Sequence, residues 1–514
     1  MGISASKSNF NISLVTFYST ENRGIRYLSS VLRKNGFTSN IIFLKRWINN
    51  AIQEPSLREI ENLTDLLRQL QTSLVGLSVG TPYLKVARNL SEVIRRKLKV
   101  PVVWGGIHPT ICPEDCAQAA DFVCVGEGEY PLLELARALA DGGSTENIEN
   151  IWKSEGGRPR RTGLRQLIND LDALPFPDYD DDNKYLIEGN RIIRGELLKE
   201  DAEYRIYPSR GCPFNCAYCN SAAIREVYRG LGNYYRYRSP DNVITELEYA
   251  LKYFPKTRRI KFDGDTFTFP HQWIEKFCRL YREKIRIPFE ILIHPLSASE
   301  EGLIELKKSG LQKVQMGIES GSESESKEIY MREGRNSDVL RFARIAHRLK
   351  IEPVYDIICD NPLATTRDKR QGLEFLLSLP RPFKLYLYSL TVFPKTALAR
   401  EFLRQGIIRE SEIEGEATKS FRQFRLSLFY PRPAEETFWV CLWALSSKSF
   451  IPKKLIRFLS RRVWLKKHPL PLKALAVTAD FIRITFIAFQ MLLHGEMTVF
   501  KFKQYRGLKS WITQ

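Results

Sequence analysis

The sequence predicts an α/β chain in three parts: a doubly wound parallel sheet, a partial (βα)6 barrel and a helical C-terminal region. Three observations carry this. Short β-branched runs alternate with amphipathic stretches over residues 11–140, the rhythm restarts at residue 203 for six units, and it is lost from Ala397 onward. A chain of 514 residues exceeds one ordinary core, as such a division requires. A hydrophobic content of 43% with 27% charged residues excludes the disordered and fibrous classes. The expected division is 1–145, a connector at 146–202, a barrel at 203–396 and a helical, basic region at 397–514.

In the first part, ISLVTFY (12–18), SNIIFLK (39–45), LVGLSVG (74–80), VPVVWGG (100–106) and DFVCVGEGE (121–129) read as buried strands. Helices are expected at 23–34, 56–70, 83–97 and 130–140 between and after them. Alternation at this spacing implies a flavodoxin-like sheet, whose ligands bind beyond the carboxyl ends of the strands. The third, fourth and fifth strand ends carry Ser78, Gly80 and Thr81, then Gly105 and Gly106, then Gly126, Glu127 and Gly128. A glycine at one strand end is explained by a turn. Glycines at three neighbouring ends favour a crevice where backbone approaches a bulky ligand.

Residues 141–202 are rich in Gly, Asp, Pro and charge, which is connector composition. The second series has strands at 204–210, 258–264, 288–294, 311–321, 352–360 and 383–390, with helices between them. Parallel barrels carry their active-site groups at the carboxyl ends of the strands. Those ends hold Asp263 and Asp265 after the second strand, Glu319 and Ser320 after the fourth, and Asp360 after the fifth. Each alone is an ordinary helix cap or turn residue. Their convergence on one rim favours a site.

The first strand runs into RGCPFNCAYCNSA (210–222), a C-x3-C-x2-C array of Cys212, Cys216 and Cys219. Three thiolates in one loop can wrap one side of a metal centre. Iron–sulfur clusters usually take four, so three leave one iron open to a non-protein ligand. Zinc with a fourth ligand elsewhere is the alternative, but zinc ribbons pair two C-x2-C knuckles and no second knuckle exists here. Cys112, Cys116 and Cys124 form a C-x3-C-x7-C series whose last spacing does not suit a cluster, and Cys124 reads as a strand core residue.

With these motifs in view, residues 203–395 resemble the radical SAM superfamily, whose signature is C-x3-C-x-aromatic-C. The resemblance implies that Cys212, Cys216 and Cys219 ligate a [4Fe–4S] cluster. It places S-adenosylmethionine (SAM) on the open iron, with Tyr218 near the adenine. Asp263 and Asp265 stand where the family's second strand meets the methionine amino group, without the usual Gly-Gly-Glu. GIESGSE (317–323) resembles the segment near ribose and carboxylate, which nominates Glu319 and Ser320. Arg238, in RYRSPDNVITE (236–246), either meets that carboxylate or pairs with a helix acid. Residues 10–145, through GGIHPT and DFVCVGEGE, resemble the cobalamin-binding domain found ahead of such barrels. Its D-x-H-x-x-G motif is absent, and His108, in a glycine-proline turn, is not assigned to cobalt.

The implied cofactors are therefore a [4Fe–4S] cluster, SAM and cobalamin. The implied function is methylation of an unactivated carbon in a small molecule, lipid or peptide, with catalytic residues unassigned. The alternatives are radical cyclisation or rearrangement of the anaerobic tetrapyrrole cyclase kind, tRNA methylthiolation, or a non-catalytic sensor. An electron donor such as flavodoxin or ferredoxin is the implied partner. Nine cysteines without a secretory signal fit a reducing, cytoplasmic setting. Residues 446–514 hold 14 Lys/Arg against Asp480 and Glu496, so 12 of the 19 net positive charges lie there. The remaining residues carry only 7 net positive charges, too few for a basic groove, and no nucleic-acid partner is expected. The apolar stretch 474–493 contains Asp480 and Arg483, three residues apart. It reads as an interfacial or buried helix rather than a span, giving weak contact with the inner membrane face.

Overall fold

The computed structural model describes residues 10–46, 53–417, 428 and 431–493. Five parallel strands form the middle of the first sheet: β1 (Asn11–Phe17), β2 (Thr38–Leu44), β3 (Thr72–Ser78), β4 (Val102–Gly105) and β5 (Phe122–Cys124). They are nearly continuous apolar runs, as a sheet covered on both faces demands. Helices α1 (Arg23–Lys34), α2 (Leu57–Gln69) and α3 (Leu84–Leu98) supply much of that cover. Helix α2 starts on a capping box, in which Ser56 and Glu59 each satisfy the other's backbone N–H. The short helices α4 (Ile107–Ile111) and α5 (Pro113–Cys116) and then α6 (Glu129–Ala140) follow.

The connector expected at 146–202 is corrected by the structure. It supplies β6 (Ile151–Glu155), β7 (Arg158–Arg160), β8 (Lys184–Glu188) and β9 (Arg191–Arg194), giving a nine-stranded sheet in the order β7-β6-β5-β4-β3-β1-β2-β8-β9. Its charge misleads because three of its charged residues, Asp178, Lys184 and Glu196, are buried. Arg26 donates to Glu196 at 2.5 and 2.9 Å, while Asp178 accepts from Ser29 (2.6 Å), Asn183 (2.7 Å) and Lys184 (2.7 Å). Burial pushes the Asp178 carboxyl up, and Lys184 with the two neutral donors outweighs it, holding it below its usual value. Stability from this depressed group is complete above its unfolded value of about 4 and is lost as pH falls through the folded value. Urea midpoints at pH 7 and pH 3 are expected to differ more for the wild type than for Asp178→Asn.

The second sheet is all parallel, in the order β10 (Glu203–Ile206), β13 (Arg259–Phe262), β14 (Phe289–Ile293), β15 (Leu311–Glu319), β16 (Glu352–Cys359), β17 (Lys384–Ser389). Its outer strands β10 and β17 do not pair, so the barrel is open. The expected strand 204–210 breaks after Ile206. Ser209–Arg210 (β11) leaves the sheet to pair antiparallel with Arg236–Tyr237 (β12). Helices α7 (Asn220–Val227), α8 (Pro240–Tyr253), α9 (His271–Lys284), α10 (Glu300–Lys308), α11 (Asn336–Arg348) and α12 (Thr366–Ser378) follow the strands in turn.

Strand alternation sorts the barrel residues. Ile260, Phe262, Phe289, Ile291, Val314, Met316, Tyr355 and Ile357 pack in the large core. Arg205, Lys261, Asp263, Glu290, Lys313, Gln315 and Asp356 have the opposite parity, and neighbouring strands pair through them, Arg205 with Asp263 at 3.2 Å and Gln315 with Asp356 at 2.7 Å.

Beyond α13 (Ala397–Arg404) and α14 (Glu410–Ala417), the described residues of the last part are helical, as expected. Helix Ala434–Ser446 buries Phe438, Trp439 and Leu442 in the same core as the barrel. Trp439→Ala is expected to cost about 3–5 kcal/mol in a denaturant titration. Helix Leu470–Leu493 places Asp480 beside Lys448 and 3.6 Å from Arg483. Among the described residues no helix is long and apolar enough to cross a membrane.

Candidate functional site

The site begins at the break after β10. Gly211 has φ +78°, and a Cβ there would lie 2.2 Å from the Tyr234 carbonyl oxygen, so only glycine turns the chain into the cysteine loop. Cys212 and Cys219 are half-buried and Cys216 is buried, all three as free thiols, with Cys219 at the start of α7. The loop is fixed on two sides. Ala217 N–H donates to the Tyr330 carbonyl (2.8 Å), and Leu398 N–H to the Ala217 carbonyl (2.9 Å). Burial pushes the Cys212 thiol up to about 11 and Cys219 to about 12, so a metal must displace their protons.

Arg332, which sequence reasoning missed, ties the loop to β15. Its guanidinium donates to Cys216 Sγ (3.4 Å), Tyr218 Oη (3.1 Å) and the Gly317 carbonyl (2.6 Å), and lies 3.8 Å from Glu319. Glu319 has φ +66°, an uncommon conformation for its type, and burial raises its carboxyl although Arg332 opposes this. A Cβ on Gly317 would sit 2.3 Å from Glu319 Oε1, so this glycine makes room for the carboxylate. His294, also missed, follows β14. Its ring stacks on Phe214 of the loop with centroids 3.6 Å apart. Burial, with Arg332 adding to it, pushes the His294 imidazole down to about 3. Neither residue carries a sequence signal, because each is remote from the cysteines along the chain.

The two aspartates after β13 separate. Asp263 belongs to the lumen ion pairs, 3.2 Å from Arg205 and 3.5 Å from Lys261. Asp265 accepts from Ser221 Oγ (2.8 Å) on α7, and the cleft walls raise its carboxyl while one side stays open to solvent. The Ser320 hydroxyl donates to Glu325 (2.6 Å), which also accepts from Asn361 (2.8 Å), in a polar cleft that reaches Asp368 and Trp443. Arg238 pairs with Glu246 and Asn242, which is the helix-acid alternative.

In the first sheet, Ser78 accepts from Asn22 (3.0 Å), Thr81 bonds His108 Nδ1 (3.1 Å), and Gly80, Gly105 and Gly106 line the same strand ends. Gly106 has φ +113° and, with Ile107, is exposed. Gly126 and Glu127, expected on the crevice wall, form a joint to the cysteine loop. At Gly126, with φ +90°, a Cβ would lie 1.7 Å from Tyr228 Oη at the end of α7. The Glu127 N–H donates to that same oxygen at 2.7 Å. Its carboxylate meets Arg210 (3.1 Å), Arg236 (3.0 Å) and the Ile168 N–H (2.8 Å). Burial pushes the Glu127 carboxyl up, and the two arginines and the amide outweigh it. Gly128 starts α6 beside Leu28 and Cys124. Ile111 and Cys112 pack on Ala223 and Ile224 of α7, so the β4 end also rests on the helix behind the cysteines.

With this geometry, comparison with known families is informative. Residues 12–136 match the B12 binding domain and residues 206–362 the radical SAM superfamily. An uncharacterized methyltransferase of Pyrococcus horikoshii is 28% identical over 58% of this chain and 61% of its own. The anaerobic magnesium-protoporphyrin IX monomethyl ester cyclase of Cereibacter sphaeroides is 25% identical over 58% of this chain and 47% of its own. The chain thus spans about half to three-fifths of these relatives. Two solved structures share the fold: the cobalamin-dependent SAM radical enzyme OxsB (TM-score 0.65, 16% identity, 98% of this chain and 83% of that one) and the radical SAM methyltransferase TsrM of Kitasatospora setae (0.59, 18%, 77% and 76%). Those structures hold a [4Fe–4S] cluster in TsrM, SAM in OxsB, and cobalamin in both. Three free thiols in one braced loop, with carboxylates on the adjoining rim, fit the first two; open strand ends with two exposed residues fit the third. The chain thus carries a B12 binding domain at residues 12–136 ahead of a radical SAM domain at residues 206–362.

Proposed function

We propose that the protein is a cobalamin-dependent radical SAM enzyme that methylates an unactivated carbon of a small molecule, lipid or peptide. The joint of Gly126 and Glu127 with Tyr228, Arg210 and Arg236 carries this reading, because it seats the end of the first sheet on the loop of Cys212, Cys216 and Cys219. In this reading those cysteines hold the cluster, and Tyr218, Asp265 and Glu319 face SAM. Asp263 and Ser320, engaged with Arg205 and Glu325, support the rim from behind. Ser78, Gly80, Thr81, Gly105 and Gly106 line the cobalamin crevice, with Gly128 behind it. Bound, the cofactors supply one-electron sulfonium cleavage and a transferable methyl group. The protein's part is to orient them and exclude water. Arg332 sets the loop against β15, and Glu319, whose carboxyl burial raises against the pull of Arg332, offers an acceptor that a nearby cation favours in its charged form. The domain division follows the same lines, with 146–202 joined to the first sheet. A reduced flavodoxin or ferredoxin supplies the electron.

Methyl-labelled SAM tests the reaction. The wild-type protein, reduced anaerobically, is expected to form 5′-deoxyadenosine and to place label in a product beyond methionine. Deoxyadenosine without transferred label favours the second reading, cyclisation, which the similarity to the Cereibacter sphaeroides cyclase supports.

The basic C-terminal region also carries exposed apolar side chains, among them Phe458, Trp464, Phe481 and Phe486, beside Arg461, Arg462, Lys467 and Lys473. This mixture suits an anionic membrane surface. Flotation with phosphatidylserine vesicles is expected to carry the protein up, and to fail after Phe458→Ser, Trp464→Ser and Phe481→Ser are combined.

A further inference from the structure

The lumen face of the barrel ends, on β14, in a buried side chain that neither the sequence signature nor the cofactor assignment uses. Along β14, Phe289, Ile291 and Ile293 pack toward the helices. Glu290 and Leu292 have the other parity, and His294, one residue past the strand, continues theirs. His294 is 4% exposed, and its ring lies flat on Phe214 between the first two cluster cysteines. Its Nδ1 accepts the Leu296 backbone N–H at 3.3 Å, an N-cap to the short helix Pro295–Ser297. A ring nitrogen that accepts an N–H bears no proton, so the neutral imidazole carries its hydrogen on Nε2. That Nε2 is buried and has no hydrogen-bond partner among the described residues. Arg332, whose charge acts on this imidazole, also donates to Cys216 Sγ at 3.4 Å, which links the ring to a proposed cluster ligand through one guanidinium.

A buried donor without a partner is costly, and folded proteins leave few such groups without reason. The cap accounts for Nδ1 and the stack for the ring, but neither uses Nε2: asparagine would cap the same turn and phenylalanine would fill the same stack. We propose that the Nε2–H of His294 donates a hydrogen bond to an oxygen of SAM bound against the cysteine loop. A neutral donor next to Arg332 suits an oxygen that bears partial or full negative charge, as a carboxylate or a ribose hydroxyl does. His294 is in this sense a binding residue, and the inference rests on the cofactor assignment proposed above.

The test uses the full chain, anaerobically reconstituted, and three substitutions. His294→Phe keeps the stack and removes the donor. His294→Asn keeps an acceptor for the Leu296 N–H and leaves no donor at the Nε2 position. His294→Gln restores an N–H near the Nε2 position. Equilibrium dialysis with labelled SAM gives the dissociation constant, the spin-resonance spectrum of the reduced cluster reports SAM on the iron, and iron content confirms that each variant holds its cluster. Phe and Asn are expected to weaken SAM binding about tenfold and Gln to stay within about threefold of wild type. Wild-type affinity in whichever donorless variant retains its iron overturns the inference and leaves the cofactor assignment standing. A wild-type protein with a full cluster and no spectral response to SAM overturns the assignment itself and the inference with it.

Discussion

Replacing Cys212, Cys216 or Cys219 by alanine is expected to reduce iron retained after anaerobic reconstitution to background and to abolish 5′-deoxyadenosine formation. The three sulfurs lie within one eight-residue loop that is braced at Ala217 from both sides and at Cys216 by Arg332. Two thiolates cannot hold a four-iron cluster that normally needs at least three protein ligands. The fold itself is expected to survive. Cys212 and Cys219 are only half-buried, and the cores of both sheets are built from other residues. Circular dichroism and the urea midpoint should therefore stay near wild type while iron and turnover vanish. Cys112→Ala is the matched control. Cys112 is buried but stands outside the loop, and cluster content is expected to be unchanged.

The joint between the two sheets gives the second large effect. Gly126→Ala places a Cβ 1.7 Å from the Tyr228 hydroxyl oxygen at φ +90°, so both the side chain and the backbone must yield. Strain of this kind costs about 1–3 kcal/mol. Glu127→Ala acts differently, because it leaves Arg210 and the buried Arg236 without their shared carboxylate. Removing one partner from a buried pair costs about 3–5 kcal/mol; Arg210 keeps Glu129, which moves the expectation to the lower end. Glu127→Gln keeps acceptors for the arginines and should fall between. Thermal melts give the stability change. Because Arg210 is two residues from Cys212, the same variants are expected to lose SAM cleavage out of proportion to lost stability. Tyr228→Phe added to Gly126→Ala removes the oxygen that clashes and should recover part of the loss. A Gly126→Ala protein that melts and turns over as wild type would show that the joint has no role.

Much of this was legible in the sequence, for physical reasons that differ by element. The parallel strands β1 to β5 are nearly continuous apolar runs separated by amphipathic helices, and only a sheet covered on both faces makes that pattern. The cysteine loop was legible because its three ligands are local in sequence. β6 to β9 were not, since three to five residues carry too little periodicity. Asp178, Lys184 and Glu196 also look like solvated connector residues until their partners Ser29 and Arg26 arrive from elsewhere in the chain. At the site, Gly126 and Glu127 were visible as a strand end but not as a joint, because Tyr228 lies 101 residues beyond Glu127. Asp263 and Asp265 have the same signal in sequence and different surroundings in space. Arg332 and His294 have no local motif at all, and only the closing of β14 and β15 beside the cysteine loop brings them to it.

The central claim is that one chain holds both an iron–sulfur cluster and cobalamin, and metal content after loading tests it most directly. Full-length protein reconstituted anaerobically with iron, sulfide and hydroxocobalamin, then desalted, should retain about four iron atoms and one cobalt per chain. Iron without cobalt, or cobalt bound to a chain that holds no iron, would contradict it.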